Sequence, residues 1–437
     1  MKAILLNGSP ADDPTGERLR QVLTGELTAR GWQVEHVLLR ERKIGACAGD
    51  FFCWVRSPGI CNVADDNRTL AAAVIASDLM VYLTPVTFGG YSSELKRIVD
   101  HQIQNIVPFF ARVAGETHHQ KRYRRYPDFL AIGWTERDDP QEQAVFRHLV
   151  ARNAVNYYAR TAVAGLVRTG QPDDELRRAA RGWLDDLAAP HSSPAPELPG
   201  FAAGGSGAGA PRRAVLLVGS PRTKKSSSQS LGGYLFDQMA ARGVQVETFY
   251  THTSINSAER MQALLAAVDS ADLLLLAFPL YVDSLPAPTI AVLERIADRR
   301  RGKPRTGQRF AAMANCGFPE AAHNRTALAI CAAFARQVGF DWAGSLALGA
   351  GEGLVHGEPL AEAGGPAALF RQALDLAAEA LAQGAPVPQQ AVDLLAKPVV
   401  PPWMYRAMGW IGWRQQAKEY GVQKQLRRQA YQDGRTA

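Results

Sequence analysis

Short runs rich in Leu, Val and Ile alternate along the chain with longer stretches in which apolar residues recur every three or four positions. Some short runs, such as residues 273–278, are apolar at nearly every position, as strands covered by helices on both faces require. The spacing predicts strands over 2–8, 33–40, 78–86, 129–135 and 161–168. Helices are predicted over 16–30, 67–77, 92–105, 140–158 and 173–188. A second series of strands follows over 213–219, 245–251, 272–279, 309–316 and 342–349, with helices between and after them. Each series amounts to five βα units, the pattern of a doubly wound parallel sheet, which binds ligands beyond the carboxyl ends of its strands.

The two series are copies. Leu5-Leu6-Asn7-Gly8-Ser9-Pro10 recurs as Leu216-Leu217-Val218-Gly219-Ser220-Pro221, and Ala29-Arg30-Gly31 recurs as Ala241-Arg242-Gly243, at offsets of 211 and 212. Asp78-Leu79 with Pro85 matches Asp272-Leu273 with Pro279 at an offset of only 194. The first copy therefore carries an insertion of about 18 residues, placed over 41–66, where Cys47, Cys53 and Cys61 lie. The expected organisation is a first domain over 1–189, a Pro/Gly/Ala linker over 190–211, a second domain over 212–386 and a basic, Trp-rich helical tail over 387–437.

Composition narrows the class. The chain has 437 residues, of which 46% are hydrophobic and 21% charged, which is globular composition. Five cysteines exclude a disulfide scaffold and suit a reducing cytoplasm. No apolar run approaches a membrane span or a signal peptide, so a soluble, cytoplasmic protein is expected. The net charge of +7 falls almost wholly on the tail, where eight Lys/Arg face Glu419 and Asp433 after residue 396. A nearly neutral body gives no reason to expect nucleic acid.

Two loops at the carboxyl ends of strands carry the candidate chemistry. The loop after the first strand of the second copy, Gly219-Ser220-Pro221-Arg222-Thr223-Lys224-Lys225-Ser226-Ser227-Ser228, opens onto a helix with hydroxyls and cations, a phosphate cradle. Its first-copy counterpart keeps Ser9, Pro10 and Thr15 but sets Asp12 and Asp13 where cations would help. After the third strands come Pro85-Val86-Thr87-Phe88-Gly89 and Pro279-Leu280-Tyr281-Val282-Asp283, turns that can lie against a flat ring.

A strand, a Gly-Ser-Pro loop and a helix, followed by a strand ending in Pro-x-x-Phe or Pro-x-Tyr, resemble the flavodoxin-like NAD(P)H-dependent FMN reductase family. The resemblance covers both copies, roughly 1–188 and 212–383, and neither the linker nor the tail. It implies two flavodoxin-like α/β domains with strand order 2-1-3-4-5, FMN as cofactor and NAD(P)H as co-substrate. It further implies that Ser9, Pro10 and Thr15, and Ser220, Arg222, Ser226 and Ser228, hold the FMN phosphate. Pro85, Val86, Thr87, Phe88 and Gly89, with Pro279, Leu280 and Tyr281, would border the ring. The loops at Trp134-Thr135-Glu136 and Asn315-Cys316-Gly317-Phe318 take the remaining ring-facing position. The implied function is hydride transfer from nicotinamide to flavin and onward to a quinone, flavin or other small acceptor, with no residue assigned as catalytic acid or base. The alternative is a non-catalytic tandem electron carrier or binding protein with one degenerate domain. Pairing of two chains through the flavodoxin-like domains is compatible with either.

The cysteine insertion resembles the motif of iron–sulfur flavoproteins, with Asp50 where that motif has a cysteine. Three thiols fall short of the four a [4Fe–4S] cluster takes, so no cluster and no metal is expected, and Phe51, Phe52 and Trp54 are read as packing residues. Asp65-Asp66 reads as a helix N-cap. Residues 118–126 and 299–303 read as solvated basic rims at the opposite edge of each sheet. Trp403, Trp410 and Trp413 are spaced to share one helical face, expected to dock on protein in preference to a membrane surface.

Overall fold

The computed structural model describes residues 1–189, 195–204, 209–304, 307–355, 357–365 and 367–431. Positions 190–194 and 205–208 of the expected linker, and the last six of the tail, lie outside the described residues. The chain forms two compact units: one is Met1–Leu198 with the segment from Arg406 onward, the other is Pro199–Tyr405.

The first unit holds strands β1 (Lys2–Asn7), β2 (Gln33–Leu38), β3 (Leu79–Thr87), β4 (Gly90–Tyr91), β5 (Ile106–Val113), β6 (Glu116–Lys121), β7 (Asp128–Thr135) and β8 (Ala162–Arg168). Its helices are α1 (Thr15–Ala29), α2 (Phe52–Val55), α3 (Asn67–Ile75), α4 (Ser93–His101), α5 (Pro140–Asn156) and α6 (Asp173–Ala188). The main sheet runs β2-β1-β3-β7-β8, all parallel. Read by sheet-forming strand, that is the expected order 2-1-3-4-5. Ala3, Ile4, Leu5 and Leu6 of β1 are wholly buried because helices cover both faces. Leu19, Leu23 and Leu27 of α1 and Leu176, Ala180 and Leu184 of α6 fill one side of this core.

The second unit repeats the arrangement with β9 (Arg213–Val218), β10 (Gln245–Tyr250), β11 (Leu273–Pro279), β12 (Arg309–Asn315) and β13 (Asp341–Leu348), in the order β10-β9-β11-β12-β13. Its helices are α7 (Ser227–Ala240), α8 (Thr251–Ile255), α9 (Ala258–Ser270), α10 (Ala287–Arg300), α11 (Arg325–Val338), α12 (Gly351–Val355), α13 (Ala367–Ala382) and α14 (Gln389–Ala396). Leu231, Leu235 and Met239 of α7 pack with Phe370, Leu374 and Leu381 of α13 over one face. Helix α15 (Pro402–Glu419) carries the chain out of this unit and back to the first.

Three readings are corrected. The basic rim over 118–126 is only partly solvated: β5 and β6 form a hairpin, His118 and Arg122 are buried, and the tail covers Arg122, whereas Lys121, Arg124 and Arg125 stay exposed. The Arg122 guanidinium donates to the carbonyls of Leu426 (3.2 Å) and Arg428 (2.6 Å), orphan acceptors that need a buried cation's donors. Within 299–303, Arg300 is likewise buried, donating to Val338 O and Gln308 Oε1, while Arg299 and Arg301 stay exposed. The three tail tryptophans do not act as one face. Trp413 packs against Phe51 and Trp54, with centroids 5.3 and 5.2 Å away, whereas Trp403 and Trp410 remain exposed. At α3, Asp65 rather than Asp66 accepts the Asn67 N–H, at 2.9 Å, and Asp66 instead binds the Lys43 amide.

Candidate functional site

In each unit the loop after the first strand and the turn after the third are tied together at the carboxyl edge of the sheet. In the first, Ser92 Oγ caps α4, donates to Gly8 O at 3.1 Å and meets Thr84 Oγ1 at 3.1 Å. In the second, Thr289 Oγ1 of α10 donates to Gly219 O at 2.9 Å. Both glycines are required by close approach: a Cβ on Gly8 would lie 2.7 Å from Leu95 Cβ, and one on Gly219 2.7 Å from Phe278 Cβ.

The first cradle is occupied by the chain's own carboxylate. Asp13 Oδ1 accepts the Thr15 N–H at 2.8 Å at the start of α1, and Oδ2 accepts the Trp134 indole N–H. A negative charge at a helix N-terminus is favourable, and it sits where a phosphate would be bound. Ser9 and Thr15 are buried, Pro10 is exposed, and Ser9 Oγ accepts from Arg40 Nη1 at 3.3 Å. Asn7 Nδ2 is buried beside this loop and has no hydrogen-bond partner among the described residues.

The second cradle is cationic. Ser226 caps α7 by accepting the Gln229 N–H at 3.2 Å, and Ser220 Oγ accepts the Arg222 N–H at 3.3 Å. Ser228 Oγ accepts from Asn315 Nδ2 at 2.9 Å, which links this loop to the fourth strand's end. Ser220, Ser226 and Ser228 are all buried, and the Arg222 guanidinium forms a two-pronged ion pair with Glu352 of α12. Lys224 and Lys225 are exposed.

The turns after the third strands share one conformation with different residues. In the first, Phe88 and Gly89 take φ of 55° and 81°, joining Thr87 to Gly90 as a two-residue hairpin. Phe88 is buried, while Pro85, Val86 and Thr87 are half-buried. In the second, Val282 and Asp283 take φ of 47° and 58°, and Tyr281 and Ser284 exchange backbone hydrogen bonds of 2.9 and 3.1 Å. Pro279, Leu280 and Tyr281 are half-buried, with the Leu280 N–H donated to Asn315 O at 2.8 Å. Trp134 and Asn315 both end at the same carboxyl edges as these turns.

A sequence profile described as NADPH-dependent FMN reductase matches residues 1–117 and 212–340, more than half of the chain. The chain belongs to that family. Among curated proteins this FMN reductase family member is similar to an iron–sulfur flavoprotein of Methanocaldococcus jannaschii, 27% identical over 100 residues. It is also similar to an iron–sulfur flavoprotein of Archaeoglobus fulgidus, 28% identical over 103 residues. These matches take up 23% and 24% of this chain, which spans about half the length of the relatives, 51% and 46%. Similar solved structures include an NAD(P)H:quinone oxidoreductase from Methanothermobacter marburgensis, 15% identical with TM-score 0.30, covering 39% of this chain and 96% of that one. An FMN-dependent NADH-azoreductase from Bacillus anthracis is 12% identical with TM-score 0.30, covering 39% and 99%.

The cysteines of the insertion do gather in this family member. Cys47, Cys53 and Cys61 line one small cavity with Asp50 and His101. The site is roofed by the first unit's own tail: Trp413, Ala417, Val422 and Leu426 pack with Phe51, Trp54 and Phe109. Gln104 Oε1 joins the two parts, accepting the Cys61 N–H at 3.0 Å and the Tyr431 hydroxyl at 2.8 Å. Asp50, standing where a fourth thiol would be, uses its carboxylate to accept the Phe52 N–H of α2 at 3.0 Å. Burial pushes all three thiols up, which opposes the thiolate form a cluster takes, and among the described residues no three of these donor atoms are close enough to share a single metal ion. This donor set does not fit a cluster. Neither the cavity nor the tail's part in it was legible from the cysteine spacing. No helix among the described residues is long and apolar enough to cross a membrane.

Proposed function

We propose that this protein is an FMN-dependent oxidoreductase that accepts hydride from NAD(P)H and delivers electrons to a small acceptor such as a quinone or a free flavin. The observation that carries the reading is the second cradle: buried hydroxyls, a helix start and cations converge at the carboxyl edge of a flavodoxin-like sheet. These residues fit a phosphate. Ser220, Arg222, Ser226 and Ser228 hold it, and Pro279, Leu280 and Tyr281 border the ring. When bound, FMN supplies two-electron chemistry, so the chain need present no acid or base. The chain's part is to fix the phosphate, to set the half-buried turn at Leu280-Tyr281 against the ring, and to hold that turn through Asn315.

In the first domain Ser9, Pro10 and Thr15 flank a cradle that Asp13 fills, and Pro85 to Gly89 form the corresponding ring border. That filling favours a second reading for this half, a flavin-poor domain kept for binding or docking. A cytoplasmic setting accords with five cysteines that are all unpaired. Association of two copies through the flavodoxin-like domains belongs to the same proposal.

The test is flavin per chain in the purified protein and its anaerobic bleaching by NADPH and NADH. Ser220→Asp should empty the flavin site by setting a carboxylate against the phosphate, while Ser9→Asp leaves flavin content unchanged. A colourless protein that stays colourless with added FMN overturns the reading. Bound flavin that neither nicotinamide reduces turns it into the electron-carrier alternative.

A further inference from the structure

A cavity of about 570 Å3 opens on the outer flank of the second cradle, between the loop after β9, the end of β10 and helices α8 and α9. Its walls include Lys224, Lys225 and Arg260, with Phe249 and Tyr250 beside them. No carboxylate lines it, and among the described residues none of these three cations is in an ion pair. Arg222 also lines the cavity, but Glu352 engages its guanidinium. Three like charges on one concave surface repel one another unless an anion joins them. The volume suits a ligand of mononucleotide size. Phe249 and Tyr250 are half-buried aromatic side chains, surfaces on which a ring can pack.

The cavity is not the bed of the flavin ring. Its walls contain no residue of the turn over 279–284 and none of the loop over 315–318, the two segments that border the ring in the reading above. Only the stretch Arg222–Lys225 is shared, and Ser220, Ser226 and Ser228 do not line it.

We propose that this cavity is a second anion site, which binds a ring-bearing phosphomonoester through Lys224, Lys225 and Arg260. A phosphomonoester carries close to two negative charges near neutral pH, which three cations match better than they match a single carboxylate. The same chemistry has two sources. One is the 2′-phosphate end of the hydride donor, in which case the inference rests on the proposed reductase activity. The other is a separate phosphorylated small molecule, and then it does not.

The test is calorimetric titration of the full-length, flavin-loaded protein with adenosine 2′,5′-bisphosphate, with adenosine as control. Saturable binding that weakens with salt is expected, with adenosine far weaker. Arg260 is exposed, so Arg260→Glu should fold normally, and an unchanged melting temperature checks that. The variant should weaken the bisphosphate by about tenfold or more, Arg260→Lys should retain most binding, and flavin per chain should not change. A tenfold fall in the ratio of kcat/KM for NADPH over NADH assigns the site to the donor; an unchanged ratio with lost bisphosphate binding assigns it to a separate ligand. Absence of saturable binding, binding indifferent to Arg260→Glu, or flavin lost in that variant overturns the proposal. Failure of the reductase reading shows separately, as a chain without reducible flavin that still binds the bisphosphate.

Discussion

Sγ of Cys61 lies 3.5 Å from Nδ1 of His101. The other ring nitrogen of His101 is 2.9 Å from the Gly45 carbonyl, so Nε2 donates to that carbonyl while Nδ1 faces the thiol. Burial pushes the Cys61 thiol up, which keeps the sulfur protonated beside the ring. Cys61 should therefore react slowly with iodoacetamide at pH near 7.5, slower than a free cysteine, and Cys53 and Cys316 slower still. Cys316 is pushed up to about 12 by burial. Mass spectrometry of native and urea-unfolded protein reads this, and rapid native labelling of Cys61 would contradict the assignment.

The cysteine cavity should contain no stoichiometric iron. Asp50 is spent on the α2 amide and His101 on the Gly45 carbonyl and Cys61, which leaves three thiols. Iron and acid-labile sulfide assays on anaerobically purified protein should give well under one of each per chain. Roughly four iron atoms per chain would show that Asp50 or His101 completes a cluster.

Asp13→Ser should raise flavin content. Serine keeps an acceptor for the Thr15 N–H while removing the charge that opposes a phosphate. Flavin per chain should climb above the parent value, and Trp134 emission should shift as its indole loses the carboxylate. Unchanged flavin with intact folding would mean that the first cradle fails for some other reason than Asp13.

Val282 pays a steric cost that Phe88-Gly89 partly avoids in the other copy. A β-branched residue at φ of 47° crowds its own backbone, worth about 1–2 kcal/mol. Val282→Gly should therefore raise stability by about 1 kcal/mol after its side-chain contacts are lost. Equilibrium urea unfolding decides this, and a clear loss of stability would show that the side chain matters more than the strain.

Stability should decline as pH falls below about 6.5. Burial lowers the pKa of His36 and His252, so the unfolded chain takes up protons first on acidification. Their contribution is complete above the unfolded value and is lost as pH drops through the folded ones. Further down, Glu17 is held at about 2 by its hydrogen bonds from Arg20, so its smaller, solvent-screened contribution disappears between about 4.5 and 2. Melting temperatures from pH 8 to 3 should fall in that order; a flat profile between 7 and 5.5 would contradict the histidine part.

The duplication made the two sheets readable. Offsets of matched segments located ten strands, because parallel strands buried on both faces leave continuous apolar runs such as residues 273–278. The β5–β6 hairpin escaped, for a physical reason. Arg122 looks like a surface residue, and the carbonyls that receive its buried guanidinium are those of Leu426 and Arg428, some 300 positions later. Polar residues covered by a distant segment give no local signal. The loops themselves were visible by residue type, but the pairings that fill them were not: Asp13 with Trp134 and Arg222 with Glu352 join positions more than a hundred residues apart.

The route of the tail bears on how the protein is made. Residues 406–431 complete the first unit, including the roof over its cysteines. During synthesis the amino-terminal half emerges first and domains ordinarily fold in that order. Here its sheet can form early, yet Phe51, Trp54 and Phe109 stay uncovered until the whole second half has left the ribosome. The nascent chain thus spends most of its synthesis with an exposed aromatic patch and three reduced cysteines. A single cut in the segment over 190–211 would leave residues 406–431 on the second fragment although they pack within the first unit.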